Sequence, residues 1–430
     1  MTAANLYIAK SDGYWWSGGI KGGAWSSGGG GWQGVPRPST PDLINGRPEA
    51  VDLGVAVTKY EDLYQTGDTL NEAMARLTTP AVITFPEGLF QQADFDANLG
   101  YACINVPKNC LGIWGSKPYG PTSGRDYAST DGTIFEITPQ SSTKASYVQN
   151  LPAGGNNLTR VMARWDGESS GTWGNFHMRG TDQPGYGTVD CHNYQGFTDY
   201  APNGHTTVQD CLFSGCQSSG QAPPYEEFVF CLHAASAHST DPFMVARCGF
   251  DGRRYSDNQP HGGLGTCQNY DAGVWIDCVG QYARTSSMVT YQCTNIDWFD
   301  CSSIHNGTGG KTSASLDLGG HPFNLERTNN IRFIRPNMIA DYGVNGNAGI
   351  HMTFSNDGWN SYANGSEGDG VLYVENPTWN SMSGLGPDFY IQTWHPYGNG
   401  DTQVTAPTVL DAQGNPLGDF KWVHSTDQQN

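Results

Sequence analysis

The residues equipped for chemistry lie far apart in the chain. Asp277 and Asp317 follow or fall within short alternating runs, Val274/Ile276 and Leu316/Leu318, and His351 falls in a third, Ile350/Met352. If those runs are equivalent strands of stacked coils, with ~4.8 Å between rungs and ~6.6 Å per two residues, Asp277 and Asp317 sit roughly 8 Å apart. An inverting glycoside hydrolase keeps about 6.5–9.5 Å between its acid and its base. His351 would neighbour Asp317 and tune or share its proton. Trp275 and Tyr390, read as outward residues of the same strands, offer the flat rings that sugar sites use. A solvated strand face with idle Asp and His residues has the same sequence pattern.

A second cluster falls in 247–261, which reads RCGFDGRRYSDNQPH. Arg253 and Arg254 would draw the carboxylate of an acidic sugar. A lyase could use an Arg or His there as base beside a neutralised uronate. Local charge pairing within a long loop is the plainer reading. Other motifs fall away. Gly262-Gly-Leu-Gly265 lacks the strand and helix of a dinucleotide loop. Gly167-Glu-Ser-Ser-Gly171 has no helix pattern after Ser169, so it reads as a turn. Asn157, Asn306 and Asn364 head sequons that read as turns.

No metal or cofactor is expected. The 11 cysteines include no CxxC and no cluster with zinc spacing, so they read as buried reduced thiols. The net charge of −19 repels nucleic acid and anionic lipid. No apolar run is long enough to span a bilayer. The opening MTAANLYIAKSDGYWW has no basic segment followed by an apolar one, so no signal peptide is expected.

The elements that must position these residues are strands. Gly makes up 57 of 430 residues, aromatics 12% and charged residues 15%, which suits short strands and many turns. A six-residue template recurs: apolar, any, Asn/Asp/Arg, Cys/Pro/Phe, any, large apolar. It reads Trp173-Gly-Asn-Phe-His-Met178, then starts again at Val208, Val245, Phe333 and Val374, with a degraded copy from Thr290 to Asn295. Its first and fourth residues are both apolar, which a flat strand would send to opposite faces. A corner at the third position resolves this, and Asn and Asp tolerate the left-handed backbone such a corner needs. Arg247 and Arg335 fit it less comfortably. A second, alternating strand follows each copy: Val189/Cys191, Val229/Cys231, Val274/Ile276, Leu316/Leu318, Ile350/Met352 and Phe389/Ile391. Such units bury their apolar face only by stacking, which makes a parallel β-solenoid.

One helix is expected, capped by Asp68 and running from Thr69 to Leu77, with Leu70, Ala73, Met74 and Leu77 on one face. The strand Ala81–Phe85 and the turn Pro86-Glu87-Gly88 follow. The organisation reads as a Gly/Trp-rich N-terminal attachment segment (1–59), a cap helix with a first strand (60–100), a parallel β-helix (101–400) and a C-terminal hairpin or cap (401–430), its turn near Gly414.

The run Thr69-Leu-Asn-Glu-Ala-Met-Ala75, then Ile83-Thr-Phe-Pro-Glu-Gly88 and Leu111-Gly-Ile-Trp-Gly115, resembles the pectate-lyase-like right-handed β-helix over about 60–395. No set of aspartates matches that family's calcium site. The Trp/Gly-rich start followed by such a helix also resembles minor tail proteins and tailspikes of bacteriophages, particularly those of actinobacteria. That resemblance implies a virion-attached homotrimer that meets a host surface polysaccharide and joins other tail proteins through residues 1–59. Adhesion to the glycan, its depolymerisation by hydrolysis or lyase chemistry, and a purely structural role at the tail tip all remain open at this point.

Overall fold

The computed structural model describes residues 7–10, 14–17, 20–24, 56–93, 102–121, 123–138, 160–165, 171–179, 186–187, 190–193, 206–214, 228–234, 243–253, 264–268, 270, 272–283, 288–291, 293–306, 322–326, 328–340, 349–353, 372–379, 389–394, 406–418 and 420–425. Asp317, Arg254 and the run Leu316/Leu318 lie outside them.

The chain winds into a right-handed parallel β-helix with three long sheets. The first sheet stacks Val57–Lys59, Ala81–Thr84, Cys110–Trp114, Gly171–Gly174, Thr206–Gln209, Phe243–Ala246, Gly273–Ile276, Thr294–Phe299, Asn329–Ile334, Leu372–Glu375 and Thr408–Leu410. The second begins with Gly88–Ala93 and Thr133–Thr138 and ends with Thr378–Trp379. The third includes Asp190–Asn193, Phe228–Ala234, Leu264–Gln268, Met288–Tyr291, Phe323–Glu326, Ile350–Thr353, Phe389–Trp394 and Phe420–Ser425.

The corner between the first and second sheets falls at the template's third residue. Asn175, Asp210, Arg247, Arg335 and Asn376 all have φ between 49° and 59°. Asp277 and Asp300 join them at 50° and 54°. Each corner N–H donates to the carbonyl just before the next corner, as from Arg247 to Ile276 (2.7 Å) and from Asp277 to Phe299 (2.9 Å). The bend therefore leaves these donors paired. Two arginines hold the left-handed conformation because each pairs with the aspartate one rung earlier. Arg247 meets Asp210 (Nε–Oδ1 3.0 Å), and Arg335 meets Asp300 through both Nε and Nη2.

The register also shows two template copies that the sequence reading passed over, Trp275-Ile-Asp-Cys-Val-Gly280 and Trp298-Phe-Asp-Cys-Ser-Ser303. The degraded copy at 290–295 is instead split between two strands, one in the third sheet and one in the first. The core column runs Trp173, Val208, Val245, Trp275, Trp298, Phe333, Val374 and Val409. Trp275 and Trp298 stack at 4.7 Å, 3° from parallel. After the corner, Cys211, Cys248, Cys278 and Cys301 continue the core as free buried thiols.

At the N-terminal end, Thr69 caps the helix Leu70–Met74 in a reciprocal box with Glu72. Asp68, expected as the cap, instead pairs with Arg76 (Nη2–Oδ1 2.8 Å) and accepts the Gln65 N–H. Leu70, Ala73, Met74 and Leu77 are buried as expected, and a further helical turn, Tyr60–Leu63, precedes them. At the other end a tight turn centred on Gly414 (φ 81°) joins the last strands of the first and third sheets, so 408–425 forms the final rung.

Candidate functional site

The expected constellation of Asp277, Asp317 and His351 on one strand face does not assemble. Asp277 is a corner residue between the first and second sheets, whereas His351 lies in the third. Trp275 is no outward platform: it is completely buried among Trp298, Phe250, Phe243 and Phe230. The cause is a phase error. The segment Gly273–Ile276 belongs to the first sheet, and its Val274 and Ile276 are the outer residues. Likewise, in Phe228–Ala234, Phe230 and Leu232 are the core residues rather than Val229 and Cys231. Ile350, Met352 and Ile391 are core residues of the third sheet, and His351 and Tyr390 lie beside them in the same strands.

Corrected register yields a different column. Leu232, Cys267, Leu325 and Met352 are core. One step on in register, His192, His233, Gln268, Tyr291 and Glu326 pair on successive rungs, and Thr353 pairs with Trp394. The neighbouring register column includes Thr266, Val289, Asn324, His351 and Gln392, and of these Val289 and Asn324 are buried. Sequence reasoning named some members of these columns, His351 and Tyr390 among them, but misplaced Phe230, Leu232 and Trp275, because Phe-Val-Phe-Cys-Leu is apolar in both phases.

The second cluster is built from three elements. Asp251 ends a strand of the second sheet and is buried. It accepts from Arg253 Nε (2.9 Å) and from Gln281 Nε2 (2.8 Å) on the next rung. The Arg253 guanidinium lies between the rings of Tyr127 (4.1 Å) and Tyr282 (4.0 Å). Burial works against its charge, but the Asp251 hydrogen bond and charge outweigh it and hold the guanidinium above its ordinary range. Tyr127 comes from 115–132, a loop that lies along the outer face of the second sheet. The Tyr119 N–H donates to the Asp210 carbonyl (2.8 Å), and a Cβ on Gly120 would stand 1.8 Å from the Arg247 carbonyl oxygen, so only glycine fits there. Arg125 ties the loop's two limbs through Asp131 (2.8 Å), and Lys117 reaches Glu87 (2.8 Å). Beneath it, His177 is buried with Nε2 2.7 Å from Ser214 Oγ. Burial, assisted by Arg179, lowers its pKa to about 3, so the ring is neutral. Arg253 thus acts first as a clamp between the loop and the sheet. Tyr127, Tyr282 and Gln281, absent from the sequence reading, complete that clamp.

Among the described residues no three His, Cys, Asp or Glu side chains converge in a way that could hold a metal ion. Among the described residues no helix is long and apolar enough to cross a membrane.

The architecture defines a parallel β-helix protein with three long sheets. In overall winding the chain is similar to a pectate lyase, with 8% identity over 84% of this chain and 81% of that one, at a TM-score of 0.37. It is similar as well to a protein of Geobacillus virus E2 (10% identity, 86% of this chain, 65% of that one, TM-score 0.33). A third likeness is to a tailspike of an Acinetobacter phage (8% identity, 86% of this chain, 63% of that one, TM-score 0.29). At such identities no side chain carries over from them. No family model and no curated protein matches the sequence.

Proposed function

We propose that this chain is a minor tail or spike protein of a phage, joined to the virion through residues 1–59, whose third sheet binds a host cell-envelope glycan. The observation that carries the reading is the third-sheet register column His192, His233, Gln268, Tyr291, Glu326, Thr353 and Trp394. It holds four rings and three other hydrogen-bonding groups, one per rung at ~4.8 Å, a repeat suited to a chain of sugars. Met244, Ala246, Val274, Ile276, Phe299 and Ile334 make the outer side of the first sheet apolar, and the 115–132 loop packs on the second sheet around Ile134 and Leu212. The resemblance of the N-terminal segment to phage tail proteins supports the virion setting, and a homotrimer follows from the same resemblance. His351 and Tyr390 belong to this face. Arg253 and Arg254 would serve an acidic sugar at its margin.

Depolymerisation is the second reading. Glu326 and His351 lie in adjacent third-sheet strands, Phe323–Glu326 and Ile350–Thr353, and would supply a carboxyl and an imidazole. One experiment separates the readings. Purified protein is mixed with host-type envelope polysaccharide, and co-sedimentation, new reducing ends and unsaturated uronate absorbance are followed together. Binding without cleavage, weakened about tenfold by Tyr291→Ala or Trp394→Ala, is the expected result. Cleavage lost in Glu326→Gln makes the protein a depolymerase. Absence of both signals across several glycans leaves a structural tail component.

A further inference from the structure

The first sheet has an outer face that does not suit water. Val245, Trp275, Trp298 and Phe333 point into the core, so their strand neighbours point away from it. Those neighbours are Met244, Ala246, Val274, Ile276, Phe299 and Ile334, a contiguous apolar cluster separate from the core, with Tyr373 at its margin. A patch of this kind on a soluble solenoid marks a contact surface. Here it is already covered, since none of the six is more than 5% exposed. Two charged side chains in the same sheet are sealed with it. Arg332 pairs with Asp297 (Nη2–Oδ2 2.6 Å) and lies 5.4 Å from the Phe299 ring centre, and both are under 7% exposed. An ion pair withdrawn from water in this way belongs to an interface rather than a surface.

One strand of the chain's own N-terminal segment approaches this face. Tyr7–Lys10, Tyr14–Ser17 and Ile20–Ala24 form a three-stranded antiparallel sheet, and Tyr7–Lys10 contacts Phe243–Ala246. The segment is rich in the residue types that an apolar face recruits: Tyr7, Ile8, Tyr14, Trp15, Trp16 and Ile20. Its glycines fit the tight turns of so short a sheet. We propose that Tyr7–Ala24 is a built-in cover that seals the apolar outer face of the first sheet, supplied by the same chain. The four N-terminal tryptophans then divide between two tasks. Those before residue 25 then pack on the solenoid, which narrows the attachment proposed for residues 1–59 to the stretch after residue 24. Loss of the cover would turn the first sheet into a self-associating surface, a hazard that a phage protein made at high concentration must suppress.

The test uses the full chain. Tyr7 is replaced by the photo-crosslinker benzoylphenylalanine, the protein is irradiated, and products are separated on a denaturing gel and sequenced by mass spectrometry. The expected product has monomer mass and joins residue 7 to a peptide containing 243–246. Capture only in a species of twice the mass would assign the cover to a neighbouring copy and overturn the same-chain proposal. Capture elsewhere, or none, would overturn the cover itself. A second measurement deletes residues 1–24. Several-fold greater binding of an apolar dye, with concentration-dependent association that a synthetic 1–24 peptide or Ile276→Lys suppresses, is the expected result. A truncated protein that stays monodisperse and dye-negative would overturn the proposal independently.

Discussion

At the scale of single residues, the corner between the first and second sheets shows how side chains offset an unfavourable backbone. Asn and Asp occupy left-handed φ at little cost, but arginine does not. Arg247 and Arg335 occupy it all the same, each bound to the aspartate of the previous corner. The two pairs differ in one respect, their exposure. Asp210 and Arg247 are 1% and 2% exposed, whereas Asp300 and Arg335 are 32% and 28% exposed. Burial raises the Asp210 carboxyl to about 6 even with Arg247 beside it, so this pair is poised at the edge of holding its charge. Replacing Arg247 by Asn relaxes the backbone but strands Asp210 without its partner, and breaking a buried pair from one side costs about 3–5 kcal/mol. Replacing Arg335 by Asn removes a pair of the exposed kind, worth about 0–1 kcal/mol, which the relaxed backbone offsets. Urea unfolding followed by tryptophan fluorescence should show Arg247→Asn strongly destabilised at neutral pH and Arg335→Asn within experimental reach of the parent. Equal losses in both would mean that the strain argument, and not burial, sets the cost.

At the scale of the coil, the core trades volume between the first and sixth positions of the template. Val245 faces Phe250 in one rung, and Trp275 shares the next with Gly280. Trp298 is matched by Ser303, and Phe333 by Met338. This exchange explains what was readable in the sequence. The corner was legible, because Asn, Asp and Arg recur where the chain must bend. The copies at Trp275 and Trp298 were hidden, because a template that demands a large sixth residue rejects glycine and serine. Once those copies are missed, Val274/Ile276 passes for a third-sheet strand, and Trp275 appears to face solvent. The second sheet's clamp was hidden for another reason: Tyr127 and Arg253 are far apart in sequence, and no period connects a loop to the rung it covers. The trade itself is testable. Trp275→Val should cost about 3 kcal/mol by leaving a cavity, and Gly280→Phe about 1–3 kcal/mol by overpacking. The double variant restores the Val/Phe arrangement of the preceding rung and should recover more than 1 kcal/mol of the summed loss, a coupling that a double-mutant cycle reads directly. Strict additivity would show that the two positions do not share one space.

At the scale of the whole molecule, net charge decides how a ligand would approach the third sheet, the face proposed for recognition. The chain carries −19 at neutral pH. A homotrimer would concentrate that field further. An anionic glycan is therefore repelled at long range, however well the third sheet receives it at contact. Salt tunes the long-range term alone: the Debye length is about 30 Å at 0.01 M and about 8 Å at 0.15 M. Raising sodium chloride across that interval should speed association of a uronate-bearing oligosaccharide several-fold while leaving a neutral one of equal length unchanged, measured by surface plasmon resonance on the immobilised glycan. The opposite trend, faster capture of the anionic glycan at low salt, would mean that a local cationic patch outweighs the global field. Arg253, with Arg254 beside it in sequence, would then be the centre of recognition and the third-sheet column its periphery. The two outcomes therefore rank the candidate surfaces as well as the ligand's charge.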